Sequence, residues 1–105
     1  MNILDTIAAE IQEQTGHTPT KEKDLPEDGG NTHYAIQTQN HKILIGLCDQ
    51  TTTTDKHYNG THILIIKSSK TKKRDVSFLT QPHKFIDLND PQSIPEIIKT
   101  IKEYT

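Results

Sequence analysis

Tryptophan is absent from this chain, and phenylalanine and tyrosine are scarce: Tyr34, Tyr58, Tyr104, Phe78 and Phe85 are the full set among 105 residues. Base stacking on aromatic platforms, the usual way of holding single-stranded nucleic acid, therefore has few candidates. Cysteine is reduced to Cys48, which rules out a disulfide within the chain. Its place at the end of an apolar run suits a small buried hydrophobe better than a reactive thiol, and a reducing compartment, the cytoplasm, is the expectation. No basic residue precedes an apolar stretch near the N-terminus, and the longest apolar runs are a few residues, so neither secretion nor a membrane span is supported. In that setting Asn59-Gly60-Thr61, which matches the N-glycosylation sequon, reads as a turn.

Apolar residues are also in short supply, at 30% against 25% charged, with Thr, Asn, Gln and His filling the difference. The core must be compact and rich in Ile. A chain of this length is one domain, residues 1–105, and can fold without a disulfide or metal staple, so no cofactor is invoked.

What is present is periodicity. Ile3, Leu4, Ile7, Ala8 and Ile11 recur at helical spacing, with Asn2 placed to cap the start and Gly16 to stop the end. Residues 17–32 contain Pro19, Pro26, Gly29 and Gly30 among charges and read as a long exposed connection. A hairpin follows, from His33 to Gln39 and from Lys42 to Cys48 around an Asn40-His41 turn. Thr61 to Lys67 and Val76 to Thr80 read as a third and fourth strand, with a short fifth from Lys84 to Leu88 held to an edge by Pro82. Ile94, Ile97, Ile98 and Ile101 trace the face of a last helix, for which Ser93 and Glu96 have the spacing of a capping box. The predicted fold is α+β: a mainly antiparallel sheet of four or five strands flanked by an N-terminal and a C-terminal helix.

Two of these strands break the usual alternation. Ile43, Leu44, Ile45, Leu47 and Cys48 in one, and Ile63, Leu64, Ile65 and Ile66 in the other, are apolar toward both faces, whereas a solvated face should be polar at every second position. Two helices normally cover one face of such a sheet. The other face then needs a cover of its own: a helix moved across, a curl of the sheet, or a second subunit in a homodimer.

Charge is divided along the chain. Residues 1–52 hold three basic and eight acidic side chains, and residues 53–105 hold nine and six. Lys67, Lys70, Lys72, Lys73 and Arg74 gather in what reads as a hairpin tip between the third and fourth strands. Such a cluster can lie along a phosphate backbone, gaining affinity from counterion release without sequence preference. It can equally be a solvated turn that keeps edge strands apart, and the negative net charge and lack of interleaved aromatics favour that plainer role.

Six histidines raise the question of a metal. Asp49, Asp55, His57 and His62 form the densest group of candidate ligands, yet none of their spacings demands a shared coordination sphere, and no Cys-x-x-Cys is present. No serine or cysteine lies in a strand-turn-helix elbow, and Gly29-Gly30 is too little to cradle a phosphate. The run Ile63-Leu64-Ile65-Ile66-Lys67-Ser68-Ser69, with Asp49 ahead of it at the end of a strand, resembles the metal-binding strand of the PD-(D/E)xK nuclease superfamily. That resemblance would imply an acid two places before the lysine. Ile65 stands there instead, and the segment that follows reads as strand where the family has a helix, so neither the family nor its activity is carried over.

The reading that results is a non-enzymatic binding module meeting a macromolecule, either nucleic acid through residues 67–74 or a protein. The alternative is a metal-dependent hydrolase or degenerate nuclease built on Asp49, Asp55, His57 and His62.

Overall fold

A computed structural model describes residues 3–23, 32–48, 62–69 and 82–105. Helix α1 (Ile3–Thr15) is followed by strands β1 (Thr20–Lys23), β2 (Thr32–Gln37), β3 (His41–Cys48), β4 (His62–Ser69) and β5 (His83–Asp87), and helix α2 (Ser93–Tyr104) closes the order. The five strands form one sheet in the sequence β1-β2-β3-β4-β5, every neighbouring pair antiparallel. The arrangement is α+β, as the periodicities require.

Helix α1 buries Leu4, Ile7, Ala8 and Ile11 and stops where Gly16 takes a positive φ of 78°. That left-handed conformation costs glycine nothing and lets its N–H donate to the carbonyl of Gln12 at 3.1 Å. The chain then departs from expectation. Residues 20–23, in a stretch expected to be a long exposed connection, form β1 and pair with β2 from Thr20 opposite Ala35 to Lys23 opposite Thr32. Thr-Lys-Glu-Lys carries no apolar alternation, because an edge strand of this sheet is held by ladder hydrogen bonds and charge pairs rather than by a buried side-chain row.

The β2–β3 connection comprises residues 38–40, one residue longer than the predicted Asn40-His41 turn and shifted toward β2. His41 is the first residue of β3, its N–H donating to the Thr38 hydroxyl at 3.0 Å while its carbonyl accepts from the Thr38 N–H at 2.9 Å. Strand β4 runs two residues past the predicted end at Lys67, through Ser68 and Ser69. The expected strand at Val76 to Thr80 and the cap at Asn2 lie outside the described residues, whereas β5 is present one residue earlier than predicted.

Helix α2 does not start on a capping box. Gln92 is the cap residue, and the first turn is set by Asp90, whose carboxylate accepts from the Gln92 N–H at 2.9 Å and whose carbonyl accepts from the Ser93 N–H at 3.0 Å. Glu96 is drawn elsewhere: its carboxylate takes a hydrogen bond from Lys84 Nζ of β5 at 2.8 Å, which ties the helix to the last strand. That bond, together with the lysine's charge, holds the Glu96 carboxyl below its ordinary value and Lys84 above its own.

The core is one cluster of isoleucine and leucine. Ile43, Ile63 and Ile65 are 0% exposed, Ile45 is 1%, and they meet Ile7 and Ile11 of α1 and Ile97 and Ile101 of α2. Both helices thus lie on the same face of the sheet. A polar latch fixes α1 there: the Tyr34 hydroxyl of β2 donates to the Asp5 carboxylate, Lys21 Nζ of β1 reaches the same carboxylate at 3.1 Å, and the ammonium sits 5.8 Å from the centre of the Tyr34 ring. The hydrogen bond to Asp5 is the main reason the Tyr34 phenol is held above its ordinary value.

Candidate interaction face of the sheet

Alternation along the strands assigns every second residue to the face away from the helices. Because Ile43, Ile45, Ile63, Ile65 and Ile86 point into the core, their neighbours Lys42, Leu44, Gly46, Leu64, Ile66, His83, Phe85 and Asp87 belong to the opposite face. The register aligns them into rows that cross the strands. Thr20, Ala35, Leu44, Ile66 and His83 make one, and Gly46, Leu64 and Phe85 belong to the next.

The two halves of this face differ in chemistry. Toward β1 it is polar: the Glu22 carboxylate accepts from Lys42 Nζ at 2.9 Å and lies 3.2 Å from His33 Nε2. Burial pushes the Glu22 carboxyl up, but the hydrogen bonds and charges of Lys42 and then His33 outweigh it, so the group stays ionised below its ordinary range. Ala35, one row from each end of this bridge, is only 4% exposed. The cluster sews β1 to β2 and β3 and gives the short first strand its anchor.

Toward β5 the face is apolar. Leu44 pairs with Ile66 and Leu64 with Phe85, all four half-buried, and the His83 and Phe85 rings meet edge to face at 5.9 Å with their planes at 85°. Among the described residues no helix or strand lies over these side chains. Cross-strand pairs of this kind normally sit against a second layer.

Of the residues singled out in the sequence, Lys67 falls inside β4, opposite Ile43 in register, with its N–H donating to the Pro82 carbonyl at 2.8 Å. It therefore belongs to the face that carries the helices. Lys70, Lys72, Lys73 and Arg74 lie outside the described residues, as do Asp49, Asp55 and His57. His62 opens β4, with Cys48 on one side of it in register and Asp87 on the other. Among the described residues no group of three or more His, Cys, Asp or Glu side chains could hold a metal ion.

Glu22, His33 and Lys42 escaped sequence reasoning because nothing in their spacing links them until β1 is known to pair with β2. Comparison with known proteins finds no match: no family model, no curated protein and no solved structure is significantly similar to the chain. The site must speak for itself. One further concavity, an open groove of about 650 Å³, runs between the end of α1 at Gln14 and the outer side of α2 at Ile94, Pro95, Ile98, Lys99 and Lys102. Its lining contains neither histidine nor cysteine. Among the described residues no helix is long and apolar enough to cross a membrane.

Proposed function

We propose that this chain is a small non-enzymatic binding module that meets a macromolecular partner, a protein, through the open face of its sheet. The observation that supports this reading is the pair of cross-strand couples Leu44–Ile66 and Leu64–Phe85 on the side away from both helices. A contiguous apolar patch on a soluble surface loses free energy to water until something covers it, and larger patches of this kind mark interaction sites. A protein partner suits such a patch better than nucleic acid does, because a phosphate backbone is met by basic groups rather than by aliphatic ones. The single cysteine fits a reducing, cytoplasmic setting for this activity.

The test compares the parent with Leu64→Lys, which sets a charge in the middle of the patch while leaving the buried isoleucines untouched. At protein concentrations that keep the chain monomeric, the parent is expected to enhance the fluorescence of an apolar-surface dye and the variant to lose most of that enhancement with its far-UV circular dichroism unchanged. Equal dye binding by the two would remove the open face from consideration. A salt titration with duplex and single-stranded oligonucleotides addresses the basic residues. Tight binding that disappears when Lys72, Lys73 and Arg74 are changed to Glu would move the function from the sheet to that cluster.

A further inference from the structure

The open face is complementary to itself, and we propose that its occupant is a second copy of this chain, packed sheet against sheet about a two-fold axis. This rests on the open face being a docking surface and adds the identity of what docks there.

The argument starts from where the charges lie. Along β3, Lys42 stands one row beyond Leu44, and along β5, Asp87 stands one row beyond Phe85 at the other end of the sheet. The apolar couples Leu44–Ile66 and Leu64–Phe85 occupy the two rows between. Opposite charges therefore mark opposite ends of a diagonal whose midpoint falls on β4 between Leu64 and Ile66. A two-fold axis in the interface plane, through that midpoint and across the diagonal, exchanges the two ends. It lays Lys42 of each copy against Asp87 of the other and stacks the apolar couples between them. A face with one sign of charge at both ends would repel its twin in this arrangement. An isologous contact needs this self-complementarity, in which each of two different residues meets the other twice.

Both charged groups have capacity for the contact. The Lys42 ammonium is held by Glu22 at 2.9 Å, and the Asp87 carboxylate accepts from the Asn89 N–H at 2.8 Å. An ammonium has three donors and a carboxylate about four acceptor positions, so each can take another partner. No Asp, Glu, Lys or Arg stands in the two central rows between β2 and β5, as a core depleted of charge requires.

Size is consistent with a twin. Strands of 4, 6, 8, 8 and 5 residues, about 4.8 Å apart and rising about 3.3 Å per residue, give a face of about 500 Å² in projection. Side chains corrugate the face and raise its accessible area toward the ~800 Å² per partner of a standard stable interface. Two sheets stacked about 10 Å apart would complete the second layer that a doubly apolar β3 and β4 call for.

Sedimentation equilibrium of the full chain at neutral pH tests this directly. Twice the chain mass is expected at micromolar concentration, and a parent that remains monomeric up to about 100 μM would overturn the proposal. Leu64→Lys should yield monomers with an unchanged circular dichroism spectrum. Were it still dimeric, the copies would be meeting elsewhere and the proposal would fail. Asp87→Lys should weaken the dimer about tenfold, and adding Lys42→Asp together with Glu22→Lys, which keeps their ion pair with its signs exchanged, should recover most of that loss. If that combined variant keeps the parent's circular dichroism spectrum and associates no better than Asp87→Lys, the two-fold arrangement is wrong. Dye binding separates this inference from the reading beneath it. A monomeric parent whose dye signal is lost in Leu64→Lys refutes the twin and keeps the open face, whereas a monomeric parent with no such signal refutes both.

Discussion

The two faces of the sheet are built from alternate residues of the same strands, yet they meet different surroundings. In β4, Ile63 and Ile65 are 0% exposed beneath two helices, while Leu64 and Ile66, each one residue away, are half-buried on the side the helices do not reach. Residue type is almost constant across this comparison and environment is not. The contrast teaches that hydrophobicity in a strand specifies the need for a cover without saying who provides it.

The largest test of the contrast is truncation on each side. Ile65→Ala should cost about 2–4 kcal/mol in urea denaturation, because it removes buried methyl groups and leaves a cavity between sheet and helices. Leu64→Ala should cost about 1 kcal/mol or less at protein concentrations that keep the chain monomeric, since the side chain there gives up little packing. Equal losses would mean that the open face is covered after all, and the comparison would break.

Next in size come the devices that hold the covered face in place. Tyr34→Phe deletes the hydroxyl that donates to Asp5, and a loss of about 1 kcal/mol is expected by the same measurement. Gly16→Ala should also cost about 1 kcal/mol, although a Cβ there meets nothing within 4 Å. The penalty comes from the positive φ alone, so Gly16→Asn should cost less than Gly16→Ala.

The smallest effects are electrostatic and separate the faces by pH. Glu22 on the open face and Glu96 beside the covered one are both held below the ordinary carboxylate value of 4.5. A depressed value in the folded state means that ionisation favours folding. This contribution is complete above the unfolded value and is lost as pH falls through the folded one. Unfolding midpoints measured from pH 7 down to pH 3 should therefore drop less in Glu22→Gln and in Glu96→Gln than in the parent.

Much of this architecture was legible before any coordinates. Helix α1 was readable because Leu4, Ile7, Ala8 and Ile11 follow a period that only a helix aligns, with Gly16 as its stop. Helix α2 was readable for the same reason, although its start was not: Ser93 and Glu96 have capping-box spacing, but a salt bridge to Lys84 on another strand took the glutamate. Strand β1 was illegible, since Thr-Lys-Glu-Lys has no apolar alternation and owes its form to hydrogen bonds and to Glu22 reaching Lys42 across β2. The candidate site was half legible. The double apolarity of β3 and β4 announced a second face, whereas its polar corner depends on residues 11 and 20 positions apart whose meeting no local pattern encodes.

By itself the sequence determined the period of each helix, the alternation and excess of the central strands, and so the demand for cover on both sides of the sheet. Those are local properties, set by which side chains neighbour one another along a helix turn or a pleat. Only the tertiary structure decided that both helices fall on one side, that a polar segment becomes the first strand, and that opposite charges end up across an apolar patch. The physical reason is that each of these depends on which distant segments hydrogen-bond and pack together, a choice made by the whole chain when it closes its core.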